Sequence, residues 1–141
     1  MMDMLAIQRL HPESAVPTRA HPEDAGLDLY GVEDVILPPN EGKVAKTGVA
    51  MAIPKGFVGM IADRSSLAKK GVKSAGGIID SGYRGEVMVV LRNLTSQEIR
   101  IKAGDRIAQM LILPVALPNP VEVATLSETT RGQGGFGSTG Q

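Results

Sequence analysis

Residues 74–92 read SAGGIIDSGYRGEVMVVLR, and this stretch decides the fold. Two apolar runs flank Asp80-Ser81-Gly82, residue types that favour chain reversal. The pattern predicts a β-hairpin in which Ser74–Ile79 pairs with Glu86–Arg92 across Asp80–Gly85. Pairing Ile79 with Glu86 sets Gly77 opposite Met88. Val87–Leu91 lacks polar alternation, so both of its faces are expected to be buried. A small β-sandwich has one inner face per sheet. Burial on both faces therefore points to a subunit interface, or to a neighbouring loop lying over the strand.

Outward from the hairpin, similar short runs recur at Leu5–Leu10, Leu27–Tyr30, Val35–Leu37, Lys43–Ile53, Phe57–Ala62, Glu98–Ile101, Arg106–Val115 and Val121–Leu126. Turn sequences separate them: Pro38-Pro39-Asn40, Pro54-Lys55-Gly56, Ala103-Gly104-Asp105 and Pro118-Asn119-Pro120. Short strands at this spacing predict an all-β sandwich or barrel. One helix of a turn or two is expected near Ser65–Lys70, and no internal repeat is visible.

The 141 residues suit one domain or one subunit of an oligomer. Lys and Arg total 15, as do Asp and Glu. A neutral chain has no broad electrostatic hold on nucleic acid or an anionic membrane, so recognition of a polyanion must be local. The absence of cysteine excludes disulfides, thiolate metal sites and thiol catalysis. Met1–Leu10 carries Asp3 and does not read as a signal peptide. No apolar run approaches the ~18 residues of a membrane helix. A soluble, cytoplasmic protein is the expectation.

Five segments carry chemistry: AGLDLYG at 25–31, DRSSLA at 63–68, GGIIDSGYRGE at 76–86, GDRIAQ at 104–109 and RGQGGFGSTG at 131–140. Taken singly, each has a plain structural explanation as well. Asp28 reads as a strand-end carboxylate. Arg64, Ser65 and Ser66 read either as an anion-binding helix start or as a serine cap beside a surface arginine. Asp80 reads as turn chemistry, and Gln109 as a strand-end amide. The glycine-rich tail cannot offset its ordering entropy by itself and reads as a disordered end. Yet it carries a phosphate-binding cation, Arg131, and a stacking ring, Phe136.

In order and spacing, the five segments resemble the motifs of the trimeric dUTP pyrophosphatase (dUTPase) family, from about Leu27 to the C-terminus. The resemblance implies a jelly-roll-like all-β subunit over residues 1–128, and a flexible lid over 129–141. It implies a homotrimer with active sites at subunit interfaces. The implied reaction is Mg²⁺-assisted attack of water on the α-phosphate of dUTP, giving dUMP and pyrophosphate. That chemistry keeps uracil out of DNA and supplies dUMP for dTMP synthesis.

The family pattern also assigns roles. Asp28 would hold Mg²⁺ through water. Arg64, Ser65, Ser66 and Gln109 would meet the phosphates, the first three reaching from a neighbouring subunit. Backbone groups of Gly77, Ile78, Ile79 and Met88 would read the uracil edge. Ser74 stands where many bacterial members carry a base-contacting Asn, and Ser66 where many carry Gly. Asp80 would hold the 3′-hydroxyl and act as general base. Tyr83 would pack under the deoxyribose and exclude a 2′-hydroxyl. Phe136 would stack on the base, while Arg131, Gly137, Ser138 and Thr139 would bind phosphate. A dCTP deaminase of the same fold is the alternative, but its catalytic Glu falls at Val90, which cannot shuttle protons. A non-enzymatic β-sandwich oligomer is a second alternative.

Overall fold

Strand β11, Arg106–Pro114, is the spine of the larger sheet in the computed structural model, which describes residues 4–137. It pairs antiparallel with β2 (Leu27–Tyr30) on one side and β6 (Phe57–Ala62) on the other; β8 (Ile78–Ile79) extends the sheet beyond β6. A second sheet has β9 (Met88–Asn93) between β4 (Gly42–Lys46) and β7 (Val72–Ala75). Two strand pairs complete the fold: β1 (Ala6–Arg9) with β5 (Val49–Ala52), and β3 (Val35–Leu37) with β10 (Ile99–Ile101). The one helix among the described residues, α1, spans Ser65–Lys69. The chain has the expected all-β fold.

Alternation decides what faces inward. In β9, Val89, Leu91 and Asn93 are buried while Met88, Val90 and Arg92 point out. The inward set joins Leu29, Leu37, Val49, Ile53, Val87, Ile107 and Met110 in one core. Burial of such side chains stabilises by roughly 1.5–3 kcal/mol each. Buried Asn93 is fully engaged, its Nδ2 donating to the carbonyls of Leu37 and Gln97 at 3.0 and 2.7 Å.

Three expectations need correction. The run Lys43–Ile53 is two strands, because Gly48 at φ +70° turns the chain from one sheet to the next. Val121–Leu126 forms no strand; Val121, Val123 and Leu126 are exposed, and no strand of the described chain pairs with them. The hairpin is only half closed. Ser74 pairs with Leu91 and Ala75 with Val90, the expected register, but the ladder stops there. Gly76 and Gly77, at φ +70° and +104°, swing Ile78 and Ile79 away to pair with Met60 and Gly59 of β6. Residues 77–79 and 86–88 are thereby splayed apart.

In the single chain β9 is buried on one face. Met88 is 41% and Val90 36% exposed, and Val44, paired with Val90, is exposed too.

Candidate functional site

The register of the larger sheet gathers three of the five motifs. Gln109 of β11 stands opposite Asp28 of β2 on one side and Ala62 of β6 on the other. Asp63 and Arg64 follow directly from β6, so the second motif begins where the first and fourth meet. A bulge between Arg106 and Ala108 alters the pairing of β11 with β2. Arg106 lies with its guanidinium 5.9 Å from the Tyr30 ring centre and its Nε 3.7 Å from Asp28 Oδ2. The other carboxylate oxygen of Asp28 lies 3.3 Å from Arg64 Nε.

Asp28, Arg64, Ser65, Ser66 and Gln109 line one cavity of about 540 Å³, together with Asp24 and Arg106. That volume lies in the usual small-molecule range of about 300–1,000 Å³. Arg64 is itself the N-cap residue of α1 and no side chain caps the helix, so Ser65 is not a structural cap. Arg64 Nη1 instead donates to Ser66 Oγ at 3.3 Å. Gln109 donates its amide to the Asp63 carbonyl at 2.8 Å, which orients it at the cavity wall. Two arginines face two carboxylates here, so the cavity is formally balanced.

Asp63 braces this floor from behind. Its carboxylate accepts the Ser74 N–H at 2.6 Å and pairs with Lys73 Nζ at 2.8 Å. Partial burial pushes its pKa up, but the bonds from Lys73 and Ser74 more than offset this and leave it below the ordinary carboxylate value.

The opened hairpin makes a second cavity of about 200 Å³, lined by Ile78, Ile79, Asp80, Tyr83, Glu86 and Met88. Gly77 is turned toward β6, where its carbonyl accepts Ile61 N–H at 2.8 Å. A side chain there would crowd the Ile61 backbone, a Cβ falling 3.1 Å from its carbonyl oxygen. The Tyr83 hydroxyl donates to the Glu86 carbonyl at 2.7 Å. Ser74 lies in β7, its N–H held by Asp63, and does not line this cavity.

No residue lines both cavities. None of the described tail residues lines either: Arg131 donates Nε to the Gly134 carbonyl at 2.6 Å, Phe136 is fully exposed at φ +49°, and Gly137 is exposed. Ser138 and Thr139 lie outside the described residues. Four charged residues at these sites escaped the sequence reading: Asp24, Asp63, Glu86 and Arg106. Arg106 had a signal, a cation inside GDRIAQ. Asp63 and Glu86 stand at the ends of DRSSLA and GGIIDSGYRGE, but their roles had no local signal, because their partners are remote in sequence.

Among the described residues, no three His, Asp or Glu side chains cluster as a metal site. Mg²⁺ in phosphate sites is held by one or two carboxylates, with water and phosphate oxygens completing its octahedron. Asp28 at the wall of a wide cavity fits that donor set.

A family model described as dUTPase matches residues 12–140. The deoxyuridine 5′-triphosphate nucleotidohydrolase of Mycolicibacterium gilvum is 50% identical over 149 residues, covering 99% of this chain and 97% of that one. Among solved structures, a variant dUTPase of Staphylococcus bacteriophage 80alpha with dUpNHpp superposes at a TM-score of 0.93. It has 31% identity, over 99% of this chain and 100% of that one. A variant dUTPase from phage phi11 of S. aureus, described with a structural Mg(II) ion, gives 0.82 at 29% identity, over 87% and 98%.

Proposed function

The chain belongs to the dUTPase family and dUTP hydrolysis is its chemistry; from that premise we propose how its residues divide the work. The 200 Å³ cavity takes the base and sugar, and the 540 Å³ cavity takes a triphosphate. The observation that carries this reading is the interrupted ladder. Past Ala75 the segment Gly77–Ile79 no longer pairs with Met88, and a uracil edge would enter the gap between them and meet their remaining backbone groups as another strand does. Uracil offers an N3–H donor and an O4 acceptor, whereas cytosine reverses both. A mismatch would leave buried polar groups unpaired, worth ~10⁴-fold or more in discrimination.

Asp80, exposed at the rim of the base cavity, holds the 3′-hydroxyl and takes the proton from the attacking water. The electron pair of that water goes to the α-phosphorus, and the bond to the bridging oxygen of pyrophosphate breaks. Arg64, Ser65, Ser66 and Gln109 bind and orient the phosphates. Asp28 would hold Mg²⁺ through water, and the ion would supply charge neutralisation on the phosphate oxygens. The formal balance of the larger cavity explains the need for further positive charge. Arg131 brings it in a lid formed by residues 129–141, with Phe136 stacking on the base and Gly137 and Ser138 adding donors.

The two cavities share no lining residue, which supports a site assembled from more than one subunit. The exposed apolar stripe Val44, Met88 and Val90 supports a homotrimer packed through this face. Supplying dUMP for dTMP synthesis and keeping uracil out of DNA follow from the reaction. The deciding experiment is incubation with dUTP or dCTP and Mg²⁺, with pyrophosphate and ammonia both measured. Pyrophosphate from dUTP alone is expected. Ammonia from dCTP would favour the deaminase, and no product would favour a non-enzymatic role.

A further inference from the structure

Tyr83 discriminates between sugars only if its ring is held still, yet it sits on the exposed turn 80–86. Its N–H donates to the Asp80 carbonyl at 3.1 Å, and its hydroxyl to the Glu86 carbonyl at 2.7 Å. The ring lies against Gly85, where an added Cβ would stand 2.6 Å from the hydroxyl oxygen. These bonds are internal to the turn and fix the ring relative to the turn alone.

Glu86 connects the turn to the body of the protein. Its Oε2 accepts the N–H of Gly48 at 2.8 Å. Gly48 is buried, and its carbonyl accepts both Leu10 N–H at 2.8 Å and Ser14 Oγ at 2.6 Å. The adjoining residue, Val87, is fully buried and bonded through its carbonyl to Thr47 Oγ1 at 2.6 Å and through its N–H to the Val49 carbonyl at 2.8 Å. The carboxylate is therefore the side-chain tie between the β4–β5 corner and the residue that receives the Tyr83 hydroxyl. A backbone N–H bonded to a carboxylate is stronger than a neutral pair, and this donor would be left unpaired inside the protein without it.

We propose that Glu86 is a positioning residue for sugar specificity, which holds Tyr83 against the deoxyribose by anchoring the turn to Gly48. The sugar role of Tyr83 rests on the function proposed above; the anchoring does not. In Glu86→Gln the amide oxygen still accepts the Gly48 N–H. In Glu86→Ala it has no replacement. Tyr83→Phe removes the hydroxyl donor and leaves the ring.

The test measures the UTP/dUTP ratio of kcat/KM and the amide hydrogen exchange of Gly48 and residues 81–85 in all three variants. Glu86→Ala is expected to raise the ratio about five- to thirty-fold, the effect of one or two kcal/mol of lost ordering, and to speed exchange at Gly48 and in the turn. Glu86→Gln should restore both towards the unmodified protein. Tyr83→Phe should raise the ratio while Gly48 exchange stays slow. An unchanged ratio in Glu86→Ala, or unchanged exchange at Gly48, overturns the proposal. If the unmodified protein fails to hydrolyse dUTP, the functional reading falls, and the exchange data alone decide the anchor.

Discussion

The Asp28 carboxylate stands 3.3 Å from the Arg64 guanidinium, Oδ1 to Nε, at the wall of the larger cavity. Both side chains are partly buried; under the proposed division of work the carboxylate would orient Arg64 towards phosphate and present negative charge to a hydrated Mg²⁺. Asp28→Asn is expected to weaken the apparent Mg²⁺ affinity in dUTP turnover by about 10–100-fold, the usual range for groups just outside the coordination shell. A Mg²⁺ titration with an unmoved midpoint would remove Asp28 from the metal's surroundings.

Asp80→Asn keeps the shape of the side chain and could still bond a 3′-hydroxyl, but it cannot take a proton. Turnover should fall by ~10²–10⁴-fold while a non-hydrolysable dUTP analogue still binds. Near-normal kcat in this variant would show that another group is the base.

Arg131 bonds within the tail and Phe136 is exposed, so deleting residues 130–141 should leave the melting temperature almost unchanged and remove most activity. Phe136→Ala alone should cost roughly five- to 150-fold in kcat/KM, by the ~1–3 kcal/mol that base–aromatic stacking contributes in nucleic-acid sites. Arg131→Ala should depress kcat further than Phe136→Ala, since charge develops on the leaving pyrophosphate. A truncated protein with full kcat/KM for dUTP is the outcome that would end the lid assignment.

Asp63 gives a pH dependence with a definite sign. Its pKa is lower folded than unfolded, so its stabilising contribution is fully present above the unfolded value and fades as pH falls through the folded one. Stability should therefore drop below the ordinary carboxylate range, and Asp63→Asn should flatten that part of the profile. Parallel acid-melting curves for the two proteins would show that the Lys73 and Ser74 bonds contribute nothing.

Assembly is predicted to bury Val44, Met88 and Val90. Light scattering should give a trimer at micromolar concentration, and Val90→Glu should shift it towards monomer. A monomer mass for the unmodified chain would remove the shared-site reading.

Short Val- and Ile-rich runs between Gly- and Pro-rich turns were sufficient to place most of the strands, because alternation and turn chemistry are local properties. The register of Ser74 and Ala75 against β9 was legible for the same reason: side-chain period and turn length set it. The five motifs were legible as residue types in order. Only tertiary structure decided that the hairpin opens after Ala75, since pairing of Ile78 and Ile79 with β6 depends on a strand remote in sequence. It likewise brought Asp28, Arg64 and Gln109 together through the three-strand register of β2, β11 and β6, and gave Asp63 and Glu86 partners that no local pattern specifies. Val121–Leu126 has strand-forming residues but no strand, because a strand exists only where a second backbone completes its hydrogen bonds, and the sequence of one segment carries no record of its partner.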